Sequence, residues 1–391
     1  GVISRGIRGP IIREGDDIVD IVVNSVYASE QADGYTLQDR DVIAVTESVV
    51  ARAQGNYVTV DQVAQDIRNK FPAKKLGLVF PILSRNRFSM CLKGIARAMD
   101  EVVILFSYPN DEVGNPLMVR SAYLKNRYSG VYDFQEADFV KTFGSPVHPF
   151  TGVNYLDFYR EVIESEGAKA TFLFSNDCRY IASFCDQVLC CDIHTRERSR
   201  RRLLAAGAEK VLTLADIMNA PVDGSGYNEQ YGLYGSNKAT EDTVKLFPRN
   251  CSEFVEELQK SLESVTGVKL NCMIYGDGAF KDPVGKIWEL ADPVVSPAYT
   301  ERLEGTPNEL KLKYLADNDF KDLKGEELTR AMKEKIEAKD GSLKGSMASQ
   351  GTTPRRLTDL IGSLCDLTSG SGDKGTPIVF IQGYFDTFAE Q

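Results

Sequence analysis

The sequence lacks any long hydrophobic run. No stretch of its 391 residues approaches the roughly 18 consecutive apolar residues that a membrane-spanning helix needs. The first residues, Gly1 to Arg5, also lack the apolar core of a secretory signal peptide. We therefore expect a cytoplasmic protein with no membrane partner.

The chain lacks an excess of positive charge, because its 46 lysines and arginines are outnumbered by 56 aspartates and glutamates, for a formal net charge of −10. This argues against nucleic acid as a general partner, because phosphate binding needs clustered positive potential. One dense basic run spans residues 196–202, and it is either a solvated helix face or a receptor for a polyanion such as a glutamate tail. Arg85 and Arg87 lie near a predicted strand end, where guanidinium groups suit phosphate or carboxylate.

Histidine is nearly absent. The two histidines, His148 and His194, argue against a histidine zinc site and against a Ser-His-Asp triad. Any metal is then held by carboxylates, which favours Mg or Mn. The eight cysteines show no CxxC spacing, and most of them occur in apolar runs, where we expect buried thiols: Cys178, Cys185, Cys190, Cys191 and Cys272.

The sequence lacks two familiar nucleotide-binding sites, the P-loop and the Rossmann dinucleotide site. No GxxxxGK[ST] occurs, which excludes a P-loop. Residues 370–375 match GxGxxG, but they precede a predicted strand, whereas the dinucleotide fingerprint follows a strand and opens a helix. We therefore reject a Rossmann site. The remaining interpretations are a loop that cradles phosphate with backbone amides and a simple flexible connection.

The pattern of apolar segments predicts an α/β (α+β) fold. The apolar fraction of 42% and the charged fraction of 26% are those of a globular protein. From about residue 155 strands and helices alternate, which indicates a small parallel sheet. Strands are predicted at 41–46, 102–107, 170–175, 187–192, 210–214, 269–275 and 377–382, and helices at 16–28, 60–69, 155–166, 178–185, 195–206, 251–265, 308–340 and 354–367.

Carboxylates follow two of the predicted strands. Asp111 and Asn115 lie in the loop after strand 102–107, and Asp277 and Asp282 follow strand 269–275. A carboxylate just beyond the carboxyl end of a strand is well placed to hold a metal on nucleotide phosphates. The alternative is that both loops are ordinary Asp/Asn/Gly turns. Asp292 is a weaker candidate of the same kind.

Two N-terminal segments carry a family resemblance. Residues 10–17 fit Pro-x-[Ile/Val]-x-x-Gly-Asp-Asp, and residues 48–55 fit Ser-x-x-x-[Lys/Arg]-Ala-x-Gly directly after a predicted strand. In this order the two motifs resemble the coenzyme F-420-0:L-glutamate ligase (γ-glutamyl ligase) family. On this resemblance the chain would be a long variant of the family, with insertions.

The resemblance implies an amide-forming ligase that uses GTP or ATP with Mg or Mn. The acceptor carboxylate is phosphorylated to an acyl phosphate, and the amine of L-glutamate displaces phosphate. The acceptor is a glutamate-tailed small molecule, either the deazaflavin precursor of coenzyme F-420 or a folate. A homodimer is also implied.

The resemblance further implies the site residues. Asp111, Asp277 and Asp282 would bind metal, with Asp111 and Asp277 catalytic. The nucleotide would contact residues from the N-terminal loop, the strand–helix segment and the final loop: Gly9, Pro10, Ile11, Ile12, Glu47, Ser48, Arg52, Asn115, Ser369, Gly370, Ser371, Gly372, Asp373 and Gly375.

Four positions depart from the family pattern. Arg52 stands where lysine is frequent, and Asp111 and Asn115 are four residues apart rather than three. The metal motif Asp-Thr-x-Gly becomes Gly-Asp-Gly-Ala at 276–279. A metal-binding Glu of the final loop has no counterpart unless Asp366 or Asp373 replaces it.

The resemblance also predicts how the chain divides. Residues 1–120 and 251–391 form the ligase core, residues 121–250 an inserted α/β lobe, and residues 290–345 a charged helical insertion. Two other functions are open. One is a metal-dependent phosphatase or nucleotide hydrolase that uses Asp111 and Asp277, and the other is a non-catalytic nucleotide-binding homologue.

Overall fold

The structure, a computed structural model, describes residues 1–126, 132–149, 151–278, 280–281, 288–289, 291–349, 355–369 and 372–390. The strands are β1 (Ile3–Ile7), β2 (Val42–Thr46), β3 (Tyr57–Thr59), β4 (Lys75–Val79), β5 (Glu101–Phe106), β6 (Phe134–Gln135), β7 (Lys169–Phe174), β8 (Gln187–Cys190), β9 (Lys210–Thr213), β10 (Asn237–Lys238), β11 (Thr243–Lys245), β12 (Asn271–Tyr275), β13 (Phe280–Lys281), β14 (Trp288–Glu289) and β15 (Ile378–Gln382). The helices are α1 (Ile18–Asp33), α2 (Glu47–Ala53), α3 (Val60–Lys70), α4 (Phe88–Ala98), α5 (Arg120–Asn126), α6 (Glu136–Phe143), α7 (Tyr155–Ser165), α8 (Arg196–Ala205), α9 (Cys251–Thr266), α10 (Leu312–Asp317), α11 (Gly325–Glu337) and α12 (Leu357–Ser369).

A four-stranded sheet joins the two ends of the chain. Its order is β1-β15-β2-β12, in which β12 runs parallel to β2 and β15 runs antiparallel to both β1 and β2. Successive side chains of a strand point to opposite faces, so both faces of a buried strand must be apolar. In β2, Ile43 and Val45 pack with α1 and α9, whereas Val42 and Ala44 pack with α12. The sheet is therefore a middle layer between helices.

A second, six-stranded sheet has the order β6-β7-β5-β4-β8-β9. All neighbouring strands are parallel except the edge strand β6. The chain moves outward from β4 through β5 to β7, then returns to β8 on the other side of β4. The strand order thus reverses between β4 and β8, which is the topology of a doubly wound sheet. Helices α3, α4 and α7 cover one face of it.

This sheet takes strands from both sides of residue 120, because β4 and β5 lie at 75–106 and the other strands lie beyond residue 133. The fold class is confirmed as mixed α/β, with the parallel sheet expected after residue 155. The proposed division into residues 1–120, 121–250 and 251–391 stays a prediction.

Local sequence explains where the first helices begin. Asp17 caps α1, and its Oδ1 accepts the N–H of Asp20 at 3.0 Å. At α3, Thr59 and Gln62 form a capping box in which each side chain accepts the backbone N–H of the other residue. Both termini need only neighbouring polar residues, so the sequence predicted both helices within a few residues.

Some predicted elements differ from those observed. The helix predicted at 178–185 is a 3-10 helix at Cys178–Ser183, and the strand predicted at 187–192 ends at Cys190. The elements β1, β4 and α4 were not predicted from the sequence. The five cysteines expected to be buried thiols are buried and free: Cys178, Cys185, Cys190, Cys191 and Cys272.

Within the described part of the chain, the search for a helix both long and apolar enough to cross a bilayer finds none.

One buried carboxylate of the six-stranded sheet is poorly compensated. Asp192 follows β8 and is fully buried. Its Oδ2 accepts the hydroxyls of Thr195 and Ser199, whereas its Oδ1 has no hydrogen-bond partner among the described residues. Burial raises the pKa of Asp192 to about 6. The fold therefore favours the neutral acid over the charged form.

We predict that Asp192→Asn stabilises the protein at alkaline pH. Because the folded pKa lies above the unfolded value, the neutral acid's stabilising contribution is complete below about pH 4 and is lost as pH rises through about 6. The free energy of unfolding at pH 8 should rise by roughly 1–3 kcal/mol in the variant, with little gain at pH 4. Urea unfolding at both pH values measures the difference.

Asp177→Asn is the matched control. Hydrogen bonds from Arg179 hold the pKa of Asp177 at about 2, with Arg202 also close by, so this substitution should destabilise the protein at neutral pH. An Asp192→Asn variant that loses stability at pH 8 would contradict the prediction.

Candidate functional site

One edge of the four-stranded sheet collects four segments of the chain. Since β2 and β12 are parallel, their carboxyl ends meet at this edge, where Glu47 and Asp277 follow them. The antiparallel strand β15 begins at the same edge, and β1, antiparallel to β15, ends there. The loops after β1, β2 and β12 and the loop before β15 therefore converge.

These segments line a cleft with a volume of about 690 Å³. It contains eleven of the residues that the family resemblance assigned to the site, which come from all four segments. They are Gly9, Pro10, Ile11, Ile12, Glu47, Ser48, Arg52, Asp277, Ser369, Gly372 and Gly375.

Two hydrogen bonds hold the N-terminal loop against the other segments. The N–H of Gly9 donates to the carbonyl of Gly375 at 3.1 Å. The guanidinium Nε of Arg52 donates to the carbonyl of Ile12 at 2.5 Å. The first bond joins the two chain ends, and the second joins α2 to the loop. The N-terminal loop is thus fixed both to the final loop and to α2.

A buried ion pair lies beside the start of α2. Lys245 Nζ, from β11, approaches Glu47 Oε2 to 2.8 Å, and both side chains are less than one-tenth exposed. Burial raises the pKa of Glu47, although the nearby Lys245 opposes the rise. Because removing one partner would leave a buried charge unpaired, this pair ties β11 to the site.

A second group of charges in the cleft involves Arg87. Its two terminal nitrogens contact two carboxylates, Nη2 to Asp277 Oδ2 at 2.6 Å and Nη1 to Asp292 Oδ1 at 2.7 Å. The other oxygen of Asp292 accepts the backbone N–H of Asp277 at 2.7 Å. Arg87 comes from the loop between β4 and α4, so this contact connects the six-stranded sheet to the four-stranded one.

The ionised form of Asp277 remains unfavourable despite the nearby Arg87 guanidinium. Burial, followed by the Asp292 carboxylate, raises the pKa of Asp277 to about 7 against the opposing effect of Arg87. Asp366, on α12, also contributes to the rise, and it accepts the N–H of Gly278 at 3.0 Å. The cleft thus contains a partly exposed carboxylate that is easier to protonate than an ordinary aspartate.

Glycines make the close approach of these carboxylates possible. A Cβ at position 276 would lie 2.3 Å from Asp292 Oδ2, and one at 278 would lie 2.7 Å from the backbone of Ser363. Real Cβ atoms do not tolerate such distances, so a side chain at either position would displace its neighbour. Gly276 and Gly278 therefore have a packing reason in addition to their turn propensity.

Asp111 and Asn115 are not brought into this cleft; they contact each other beyond the end of β5. Asp111 Oδ1 accepts the backbone N–H of Asn115, and its Oδ2 accepts the side-chain amide of Asn115 and the N–H of Leu83. Asp111 is buried, and burial raises its pKa to about 6. Its oxygens are engaged within the protein, where they fix the start of the loop that carries Arg87.

The remaining predicted residues are placed as follows. Asp373 is exposed on the final loop and does not line the cleft. Asp282, Gly370 and Ser371 lie outside the described residues.

Three contributors to the site were missed or only partly anticipated. The arginine at position 87 was identified as a cation, but no pattern indicated its two partners. Asp366 was considered only as a substitute, and it lines the cleft. Lys245 gave no signal, because a single lysine in a short strand has no distinctive spacing.

The described residues contain no group of three or more His, Cys, Asp or Glu side chains arranged to hold a metal ion. Asp277 and Asp292 are instead engaged by Arg87.

A second cleft, of about 870 Å³, adjoins the first. It lies between β1 and α1, and Pro10 and Thr376 line both clefts. Arg8 and Lys374 lie at its wall, and both side chains are exposed. The adjoining cleft therefore offers positive charge at its wall.

Comparison with known proteins identifies the family. The model described as F420-0:Gamma-glutamyl ligase matches residues 6–383. A search of curated proteins finds no match. The family match extends over nearly the whole chain and includes the N-terminal loop, both sheets and the final loop. The resemblance drawn from residues 10–55 is confirmed, and the chain belongs to the F420-0:gamma-glutamyl ligase family.

Proposed function

We propose that this protein is a nucleotide- and metal-dependent γ-glutamyl ligase. It joins the amine of L-glutamate to an acceptor carboxylate, which is first converted to an acyl phosphate. The observation that supports the proposal is the 690 Å³ cleft, in which the N-terminal loop, the start of α2, Asp277 and the final loop lie together. These are the segments from which the family resemblance draws its site.

We propose that GTP or ATP binds in this cleft. Gly9, Gly372 and Gly375 have no side chain between their backbone and a ligand, and backbone amides of this kind suit phosphate oxygens. Arg52 lines the same cleft and supplies a charged donor that matches phosphate geometry. The adenine or guanine base is left open by this chemistry.

We propose that the metal is Mg or Mn. Three carboxylates line the cleft: Glu47 pairs with Lys245, Asp277 pairs with Arg87, and Asp366 accepts the N–H of Gly278. One or two carboxylates together with nucleotide phosphates are the usual ligands of Mg²⁺. Such hard cations prefer carboxylate oxygen. Asp277 is the residue proposed to hold the metal, because it is partly exposed and its Oδ1 makes no hydrogen bond within the described residues. A bound metal would neutralise phosphate charge during acyl phosphate formation.

We propose that the adjoining cleft between β1 and α1 receives the acceptor. Its 870 Å³ lies within the roughly 300–1,000 Å³ of typical small-molecule sites. Arg8 and Lys374 would attract a carboxylate-tailed anion, either the deazaflavin precursor of coenzyme F-420 or a folate. The shared wall at Pro10 and Thr376 leads such a tail to the first cleft. A homodimeric, cytoplasmic enzyme completes the proposal.

The reaction product tests the ligase proposal directly. Incubation with Mn²⁺ or Mg²⁺, GTP or ATP, L-glutamate and each acceptor should give a product heavier by one glutamyl unit. Asp277→Asn should reduce its formation by at least about 100-fold, since the substitution removes a charge that positions the reacting groups. Mass spectrometry of the acceptor and phosphate release measure both quantities.

Asp100→Asn, which changes an exposed carboxylate at the start of β5, is the control and should leave turnover unchanged. Nucleotide hydrolysis without acceptor would favour a phosphatase. Nucleotide binding without turnover under any of these conditions would favour a non-catalytic homologue. Either outcome would contradict the ligase proposal.

The close approach of Gly276 to the Asp292 carboxylate gives a further prediction. In Gly276→Ala the new Cβ would displace the Asp292 carboxylate from the N–H of Asp277. Ligase turnover should fall by about 100-fold, because small misplacements of catalytic groups have effects of this size. Gly341→Ala, where a Cβ meets nothing within 4 Å, is the control. Equal activity of the two variants would contradict the predicted role of Gly276.

A further inference from the structure

Arg87 forms a bridge between two carboxylates of the proposed metal-binding region. Its guanidinium contacts Asp277 at 2.6 Å and Asp292 at 2.7 Å, and the Arg87 side chain is only 15% exposed. The two aspartates differ in environment, because Asp292 is 1% exposed and Asp277 is 29% exposed. Asp292 is therefore buried, whereas Asp277 lines the cleft.

The Arg87 backbone is anchored, and its side chain lines the cleft. Ser84 Oγ accepts the N–H of Arg87 at 3.0 Å, and Asp111 accepts the N–H of Leu83 at 2.8 Å. These bonds fix the loop before α4. The guanidinium lines the 690 Å³ cleft, and its described polar partners are Asp277 and Asp292.

Arginine suits an exchange of partners because the same planar fork matches carboxylate and phosphate. A divalent cation would compete for the oxygens of Asp277 with twice the charge of a guanidinium. If both were held on Asp277, their like charges would oppose each other at short distance in a partly buried site. Binding of one at Asp277 should therefore weaken the contact of the other.

We propose that Arg87 and a divalent cation compete for Asp277, and that Arg87 is a substrate-binding residue. When the cation takes Asp277, the guanidinium keeps Asp292 and turns its free nitrogens to the phosphate or carboxylate of the ligand in the cleft. The inference rests on the metal dependence in the proposed function. It adds a residue from the six-stranded sheet to a site otherwise built by the four-stranded sheet.

The test measures binding of Mn²⁺ alone, without nucleotide, by electron paramagnetic resonance titration. Arg87→Met should bind Mn²⁺ about 5- to 150-fold more tightly than the unchanged protein, which is the usual range for coupling between two competing interactions. A residue that only supports the structure predicts the opposite sign, because its loss would disorder Asp277. The direction of the change is therefore decisive.

Arg52→Met is the matched control for charge. It removes a cation that lines the same cleft but contacts the carbonyl of Ile12 rather than a carboxylate. Its effect on Mn²⁺ affinity should stay within about threefold, because it acts only through space. A comparable gain in both variants would show a general change in potential and would overturn the competition at Asp277.

The second measurement is nucleotide affinity at saturating Mn²⁺. Arg87→Met should weaken nucleotide binding by about 10- to 100-fold, the usual worth of a charged hydrogen bond. Arg87→Lys should give a smaller change in both measurements, because an ammonium retains the charge but reaches one carboxylate at a time. This variant is used if circular dichroism shows that Arg87→Met does not fold.

The outcomes separate this inference from the ligase proposal. Glutamate addition by the unchanged protein, with Mn²⁺ affinity unaltered or weakened in folded Arg87 variants, overturns the inference alone. Tighter Mn²⁺ binding in Arg87→Met without any glutamate addition supports the inference and overturns the ligase proposal. Failure of both proteins to bind Mn²⁺ overturns the inference and the metal dependence together.

Discussion

The parallel pairing of β2 with β12 determines where this protein's site forms. Residues 42–46 and 271–275 are far apart in sequence, yet their register places Thr46 opposite Tyr275. Glu47 and Asp277 must then leave the sheet at one edge. The antiparallel strands β15 and β1 bring the final and the N-terminal loops to the same edge. A shift in this register would move side chains to the wrong face and separate the site's segments.

Buried ion pairs then connect this edge to the rest of the chain. Glu47 pairs with Lys245 of β11, and Arg87 joins Asp277 and Asp292 to the loop after β4. Loss of one partner of such a buried pair typically costs about 3–5 kcal/mol, because a charge is left uncompensated. The contacts that join this edge to the rest of the chain therefore also set the charge of the cleft.

Continuous apolar runs were sufficient to predict four of the buried strands from the sequence. Strands β2, β5, β12 and β15 are continuous apolar runs, and all four were predicted within two residues of their bounds. The strand β4 was missed because its burial depends on β5 and β8 at either side rather than on a distinctive pattern. For the site, the place of Asp111 after a strand suggested a metal ligand, and that role stays a prediction. The structure shows its oxygens accepting hydrogen bonds from Leu83 and Asn115.

The sequence by itself determined the mixed α/β class, the capped helices α1 and α3, the buried thiols and the family, because these follow from local periodicity, capping residues and short motifs. Only the tertiary structure decided that Arg87 contacts Asp277 and that β4 is the first strand along the chain to enter the six-stranded sheet. Both depend on pairing between distant segments. Such pairing is selected by the burial of whole faces and by the compensation of buried charge, and no local pattern encodes either.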